Sequence, residues 1–206
     1  MMVIETPKIQ NCSLVTIQDF YSKEELKLIW QELEFLTSKD KLLSAEDTQS
    51  AISPEGNFKS NVGLFLDDVY LNRNISNILR INRKIFEKNV AQKLTDINPI
   101  FRALEYSNVD HTLISYYENG DSYFEHPDHS VLTILSYFFK EPKKFFGGEL
   151  VLTDFNLEII PKNNMVVIFP GAYHHKVNRV SMVSEVTLSG DGRYCMSQFI
   201  NYRPMS

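Results

Sequence analysis

From Phe101 onward, short β-branched and aromatic runs alternate with turn signals, and this alternation constrains the fold more than any other feature of the chain. Candidate strands are Phe101–Tyr106, Thr112–Tyr117, Val131–Phe139, Glu149–Leu152, Leu157–Ile160, Met165–Phe169, His175–Val180 and Arg193–Tyr202. Asn119-Gly120, Gly147-Gly148, Asn163-Asn164 and Ser189-Gly190-Asp191-Gly192 mark turns between them. The supply of 14 Phe and 10 Tyr suits a β-rich core. Eight short strands following a helical region predict a double-sheet jelly roll, a double-stranded β-helix, with helices packed on one sheet. The expected class is α+β, mainly β.

The helical region precedes the strands. Ser22-Lys23-Glu24-Glu25 reads as a capping box, in which the Ser22 hydroxyl accepts from the Glu25 amide and Glu25 reaches back. Leu26, Ile29, Trp30, Leu33 and Leu36 then repeat at helical spacing, so a helix is expected from Lys23 to Leu36. A second helix is expected from about Ile75 to Val90, on Ile75, Ile78, Leu79, Asn82, Ile85 and Phe86. Between them, residues 38–61 are rich in Ser, Asp, Lys and Asn and broken by Pro54-Glu55-Gly56, the composition of a long loop that serves either as a lid or as a plain surface excursion. At 206 residues, with no repeats or linkers, the chain reads as one domain, residues 1–100 forming a helical support region and 101–206 the jelly-roll core.

A net charge of −5 and the absence of a Lys/Arg-rich run argue against a nucleic-acid partner. No apolar run approaches a membrane span, and the N-terminal sequence lacks a signal-peptide pattern. Cys12 and Cys195 form no disulfide framework, which favours reduced thiols and a cytoplasmic location.

The residues that carry chemistry are His126, Asp128 and a histidine further on. In an extended backbone His126 and Asp128 share a face, with Pro127 turned away, so both can meet one ion. His174 and His175 are adjacent and would face opposite ways in a strand, so one of them can complete the set. Two imidazoles and a carboxylate are the ligands of the facial triad, which holds Fe(II) on one side and leaves the other open for chemistry. His129 reads as a rim residue, and His111 lies in a turn before a strand.

The flanks of this tripeptide resemble a known family. Tyr117 through Asp128 is similar to the Tyr-x-x-Gly-x-x-Tyr-x-x-His-x-Asp signature of prolyl 4-hydroxylase-type 2-oxoglutarate/Fe(II) dioxygenases. The resemblance continues, in the family's order, through Leu132–Tyr137, Phe146–Leu150, Pro161–Pro170, His175–Val180 and Gly192–Ser197. It implies the cofactors Fe(II), 2-oxoglutarate and O2, and admits ascorbate as an accessory reductant. It implies His126, Asp128 and His175 as iron ligands, because the family's distal histidine precedes x-Val-x-x-Val as His175 does here. Arg193 matches the basic residue that forks onto the far carboxylate of 2-oxoglutarate, the chemistry at which a planar guanidinium excels. Tyr137 and Tyr117 match tyrosines beside the same cosubstrate, and Tyr123 is pocket wall. The stretch from His175 to Arg193 is longer than in many members, an extended hairpin over 181–192, which makes Arg179 the alternative basic residue.

The implied reaction is hydroxylation of an unactivated C–H bond with release of succinate and CO2. Prolyl residues of a peptide or protein are the expected substrate, with a free amino acid or another small molecule as the alternative. The other class left open is a jelly-roll protein that binds metal or sugar without catalysis. A nucleic-acid demethylase of the same superfamily carries a second arginine six residues after the first, where this chain has Phe199. There is no Gly-x-Ser-x-Gly elbow for hydrolysis and no glycine-rich phosphate loop opening a helix.

Overall fold

A computed structural model of the chain describes residues 2–38, 41–48, 59–183 and 188–203. Much of the 38–61 loop and residues 184–187 of the 181–192 hairpin lie outside the described residues.

Thirteen strands are present among the described residues: β1 Val3–Glu5, β2 Val15–Gln18, β3 Val62–Phe65, β4 Val109–Tyr117, β5 Tyr123–His126, β6 Leu132–Phe138, β7 Phe145–Gly147, β8 Leu150–Leu152, β9 Leu157–Ile159, β10 Met165–Pro170, β11 His175–Val177, β12 Val180–Met182 and β13 Arg193–Asn201. They form a seven-stranded sheet ordered β1-β2-β10-β6-β13-β4-β3, a four-stranded sheet ordered β5-β11-β8-β9, and the pair β12-β7. Every named pairing is antiparallel. The architecture is mainly β with a jelly-roll core.

Two apolar cores follow from the period of two in the central strands. On β6, Leu132, Ile134 and Phe138 join one core while Leu135 and Tyr137 join the other. On β10, Val166 and Ile168 part in the same way from Met165, Val167 and Phe169. The first core lies between the large sheet and the helices, and the second carries Leu150, Leu152 and Val177 of the small sheet. β13 has both faces covered, which explains why its first six residues are all buried.

Helix α1 spans Lys23–Thr37 and is capped as its sequence specifies: Ser22 Oγ accepts from the Glu25 amide at 3.2 Å, and Glu25 accepts from the Ser22 amide at 2.7 Å. The second helical stretch is not continuous. It divides into α3 at Asn77–Ile81, a 3₁₀ segment at Asn82–Phe86 and α4 at Lys88–Ile97, the short α2 at Leu66–Val69 having come before. At Asn82, which is wholly buried and donates to Thr112 on β4 at 2.8 Å, the α-helix tightens into 3₁₀ turns while the backbone stays helical. The chain leaves helical dihedrals only at Glu87, with φ −59° and ψ 133°.

Three further differences have local causes. Phe101–Tyr106 is not a strand: Pro99–Arg102 forms a 3₁₀ turn and Ala103–Tyr106 a short helix, α5. Asn98 caps this segment by accepting from the Ile100 amide, and Pro99 stands at its first position, where its fixed φ suits a helix start. The expected strand His175–Val180 divides into β11 and β12, because the Asn178 amide turns to Glu149. The first hundred residues also contribute β1, β2 and β3 to the large sheet, besides their helices.

Candidate active site

The cleft between the two sheets is lined by residues from both: Leu113, Ser115 and Tyr117 of β4, Arg193, Cys195, Ser197 and Phe199 of β13, and Tyr123, His126 and His175 of β5 and β11. With its open mouth included it encloses about 450 Å³. The alternating positions along β13 share one face, so the register that places Cys195 opposite Tyr137 also aims Arg193 inward.

His126 and His175 meet as cross-strand partners of β5 and β11, and Asp128 stands just past the end of β5. His126 Nε2 lies 3.7 Å from one Asp128 oxygen and His175 Nε2 lies 3.6 Å from the other. One ligand atom from each of the three residues falls within 4.8 Å of the others, so this group could hold a metal ion. His126 Nδ1 is 2.7 Å from the Phe124 carbonyl, and His175 Nδ1 is 2.9 Å from the Tyr173 carbonyl. These contacts fix the proton on Nδ1 and leave both Nε2 lone pairs facing Asp128. Burial, with His175 beside it, holds the His126 imidazole well below its ordinary pKa, so it is neutral and ligand-ready at pH 7.

The carboxylate is positioned as firmly. Thr133 Oγ1 donates to Asp128 Oδ2 at 2.6 Å, and the Asp128 amide donates to the Gly171 carbonyl at 2.7 Å. Tyr123 stacks on His126 with ring centroids 3.8 Å apart. Two neutral imidazoles and one carboxylate, an N,N,O donor set, suit iron or another divalent transition metal.

Arg193 is fully buried, and its Nε, Nη1 and Nη2 make no hydrogen bond to any of the described residues. Its guanidinium lies 4.7 Å from the ring centroids of both Tyr117 and Tyr137. Tyr137 Oη is likewise buried without a partner. Cation–π contact offsets part of the desolvation cost of the guanidinium but satisfies none of its donors. Three unpartnered nitrogens, with five N–H donors between them, beside an unpartnered hydroxyl form a receptor for an anion such as a carboxylate. Gly148 makes room for it: φ is +74°, and a Cβ there would come 2.9 Å from Arg193 Cδ.

The other sequence candidates lie elsewhere. His174 is half exposed and pairs with Asp154 at 3.3 Å, facing away from the cleft as its neighbour faces in. His129 and His111 are exposed. Arg179 is exposed and donates through Nε to the Gly120 carbonyl. Thr133 falls inside the matched block Leu132–Tyr137 without a role of its own there, and Lys59 carries no signature in the sequence. Lys59 is 2% exposed, and its Nζ stands 5.5 Å from the Tyr123 ring centroid.

Residues 112–201 match the family model of the 2OG-Fe(II) oxygenase superfamily. No curated protein matches the sequence. The fold is similar to that of a Pseudomonas putida prolyl-4-hydroxylase, with 13% identity, a TM-score of 0.57 and coverage of 94% of this chain and 95% of that one. It is similar to a Trichoplax adhaerens prolyl hydroxylase in complex with a hypoxia inducible factor peptide fragment, with 11% identity, a TM-score of 0.60 and coverage of 93% and 84%. A third likeness is to a viral collagen prolyl hydroxylase from Paramecium Bursaria Chlorella virus-1 in its 2OG complex, with 12% identity, a TM-score of 0.53 and coverage of 94% and 98%.

Proposed function

The chain belongs to the 2OG-Fe(II) oxygenase superfamily, and on that premise we propose that it hydroxylates prolyl residues of a peptide or protein. It is a 2-oxoglutarate-dependent dioxygenase whose cofactors are Fe(II), 2-oxoglutarate and O2. Iron, when bound, supplies the activation of O2 that allows an unactivated C–H bond to be hydroxylated while 2-oxoglutarate becomes succinate and CO2.

The residues divide this work as follows in our reading. His126, Asp128 and His175 hold the iron, with Thr133 and the two backbone carbonyls fixing their orientation. Arg193 takes the far carboxylate of 2-oxoglutarate through its fork, and the Tyr137 hydroxyl donates to the same group. Tyr117 covers the other face of the guanidinium and, with Leu135, Leu150 and Val177, keeps water from the cosubstrate. The observation that carries this reading is the buried guanidinium of Arg193 without a partner, in the same cleft as the three metal donors. A protein that bound only metal or sugar has no use for it.

Prolyl specificity is supported by the neighbours in fold that are named prolyl hydroxylases, one of them in complex with a peptide. The proposal extends to a single working domain, in which the first hundred residues brace the jelly roll, and to a cytoplasmic location, since Cys12 and Cys195 are free thiols. No helix among the described residues is long and apolar enough to cross a membrane.

The test is succinate formation from 2-oxoglutarate with Fe(II), coupled to mass analysis of proline-containing peptides for a gain of one oxygen. Iron-dependent turnover that is lost in His175→Ala, with hydroxyproline as product, supports the full reading. Turnover on free amino acids alone moves the substrate to the small-molecule class, and a lack of any Fe(II)-dependent turnover overturns the enzyme reading.

A further inference from the structure

Lys59 lies just before β3, at 2% exposure, and its Nζ has no hydrogen-bond partner among the described residues. Among the described residues, no carboxylate acts on its charge. The ammonium instead sits over Tyr123, whose other neighbour is the stacked ring of His126. Its charge is felt by His126 on β5 and by Cys195 on β13, two residues that line the cleft. Burial lowers its pKa to about 8, so the group is still cationic at pH 7.

A buried ammonium without an anion is costly, and methionine would fill the same space without that cost. Charge accounting points to what offsets it. An iron(II) ion with Asp128 leaves one positive charge, Arg193 adds a second and Lys59 a third. A 2-oxoglutarate dianion balances two of them. Arg193 presents its fork between Tyr117 and Tyr137, whereas the Lys59 ammonium lies against Tyr123, the ring stacked on His126, so the two cations contact different sets of rings.

We propose that Lys59 receives a carboxylate of the prime substrate, so that the enzyme selects an anionic substrate over a neutral one; this rests on the dioxygenase reading given above. Two sources offer that chemistry, an Asp or Glu side chain beside the prolyl residue of a peptide and the α-carboxylate of a free amino acid. A compact ammonium on a flexible stem suits a carboxylate whose approach is not fixed to one plane.

Calorimetric titration of the full chain, loaded with Fe(II) and 2-oxoglutarate under argon, tests this with two pairs of probes. The first pair is acetyl-Pro-Asp-amide and acetyl-Pro-Asn-amide, and the second is L-proline and L-prolinamide. In the wild type the carboxylate member of one pair should bind about tenfold more tightly than its amide twin, the worth of a hydrogen bond to a charged group. The pair that shows the preference identifies the source. Lys59→Met should abolish the preference and Lys59→Arg should retain it, which separates lost charge from lost folding. Twins that bind equally, a preference that survives Lys59→Met, or no binding of any probe overturns the proposal. So does a fall in 2-oxoglutarate affinity in Lys59→Met as large as in Arg193→Met, since Lys59 then serves the cosubstrate. A wild type that does not bind 2-oxoglutarate overturns the dioxygenase reading and this proposal with it, whereas a normal 2-oxoglutarate isotherm with indifferent twins overturns the role of Lys59 alone.

Discussion

His126 and His175 are directly paired across the antiparallel strands β5 and β11, with ring centroids 4.4 Å apart and each Nδ1 held by a backbone carbonyl. Two strands of different sequence position therefore present two imidazoles already in the right tautomer and orientation. Preorganised donors of this kind make metal affinity depend on every member. His175→Ala and Asp128→Ala are each expected to lose stoichiometric Fe(II), measured as bound metal per chain after anaerobic dialysis. Retention of wild-type iron by either variant would place the metal elsewhere.

Among the described residues the Thr133 hydroxyl hydrogen-bonds only Asp128 and Ser130, so Thr133→Val isolates the orientation of the carboxylate. Outer partners of metal ligands are worth roughly 10–100-fold in affinity or activity. Fe(II) affinity is expected to fall within that range while the fold persists, as read by competition with a chelator and by circular dichroism.

Arg193 should dominate recognition of 2-oxoglutarate. Removing one partner of a buried, hydrogen-bonded charge pair costs about 2–5 kcal/mol, so Arg193→Met is expected to weaken 2-oxoglutarate binding by roughly thirtyfold to a few thousandfold. Iron binding should change far less. Ligand at a hundred times its Kd stabilises a folded protein by about 2.7 kcal/mol. That thermal shift should be seen in the wild type and vanish in Arg193→Met at the same concentration. An unchanged shift would return the assignment to Arg179 or to another cation.

Gly148→Ala tests how that arginine is seated. The residue adopts φ +74°, and the new Cβ would lie 2.9 Å from Arg193 Cδ and 3.1 Å from Val180 Cγ2. Strain of this kind costs about 1–3 kcal/mol. The variant is expected to melt several degrees lower and to bind 2-oxoglutarate more weakly than the wild type. A variant that melts lower but binds normally would show that Arg193 re-seats without loss.

What the sequence revealed of this site rests mainly on the family resemblance. Alternation places His126 and Asp128 on one face and turns His174 from His175, whereas the resemblance is what selects His175 and Arg193, which the structure brings into the same cleft as His126 and Asp128. Elements without strong periodicity were not legible. β5 has four residues and carries an exposed Glu125, and β1 has three, so neither provides enough alternation to be recognised. Phe101–Tyr106 has strand-like residues, but Asn98 and Pro99 decide its conformation from outside the window. Asn82 sits on the apolar face of what reads as one helix, and nothing in that pattern marks Glu87, where the chain leaves helical dihedrals. Lys59 belongs to a polar loop by composition, and its burial is set by Tyr123 and the sheet, which no local pattern encodes.

Asp121 gives the fold a pH dependence that can be measured without any ligand. Its carboxyl is pushed up to about 6, chiefly by burial and further by the charge of Glu118, against the hydrogen bond from the Glu118 amide. In the unfolded chain the same group titrates near its ordinary value of 3.8. Between these two values the folded protein binds more protons than the unfolded chain, so stability falls as pH rises through the window and levels off above about 6. Asp121→Asn removes the charge while its side-chain oxygen can still accept from the Glu118 amide. The variant is therefore expected to melt at a higher temperature than the wild type at pH 7, with the gap closing as pH falls and gone near pH 4. Thermal melts of both proteins across pH 4–8 check this. A gap that is constant across the range, or that widens toward acid, would show that Asp121 does not carry the strain assigned to it.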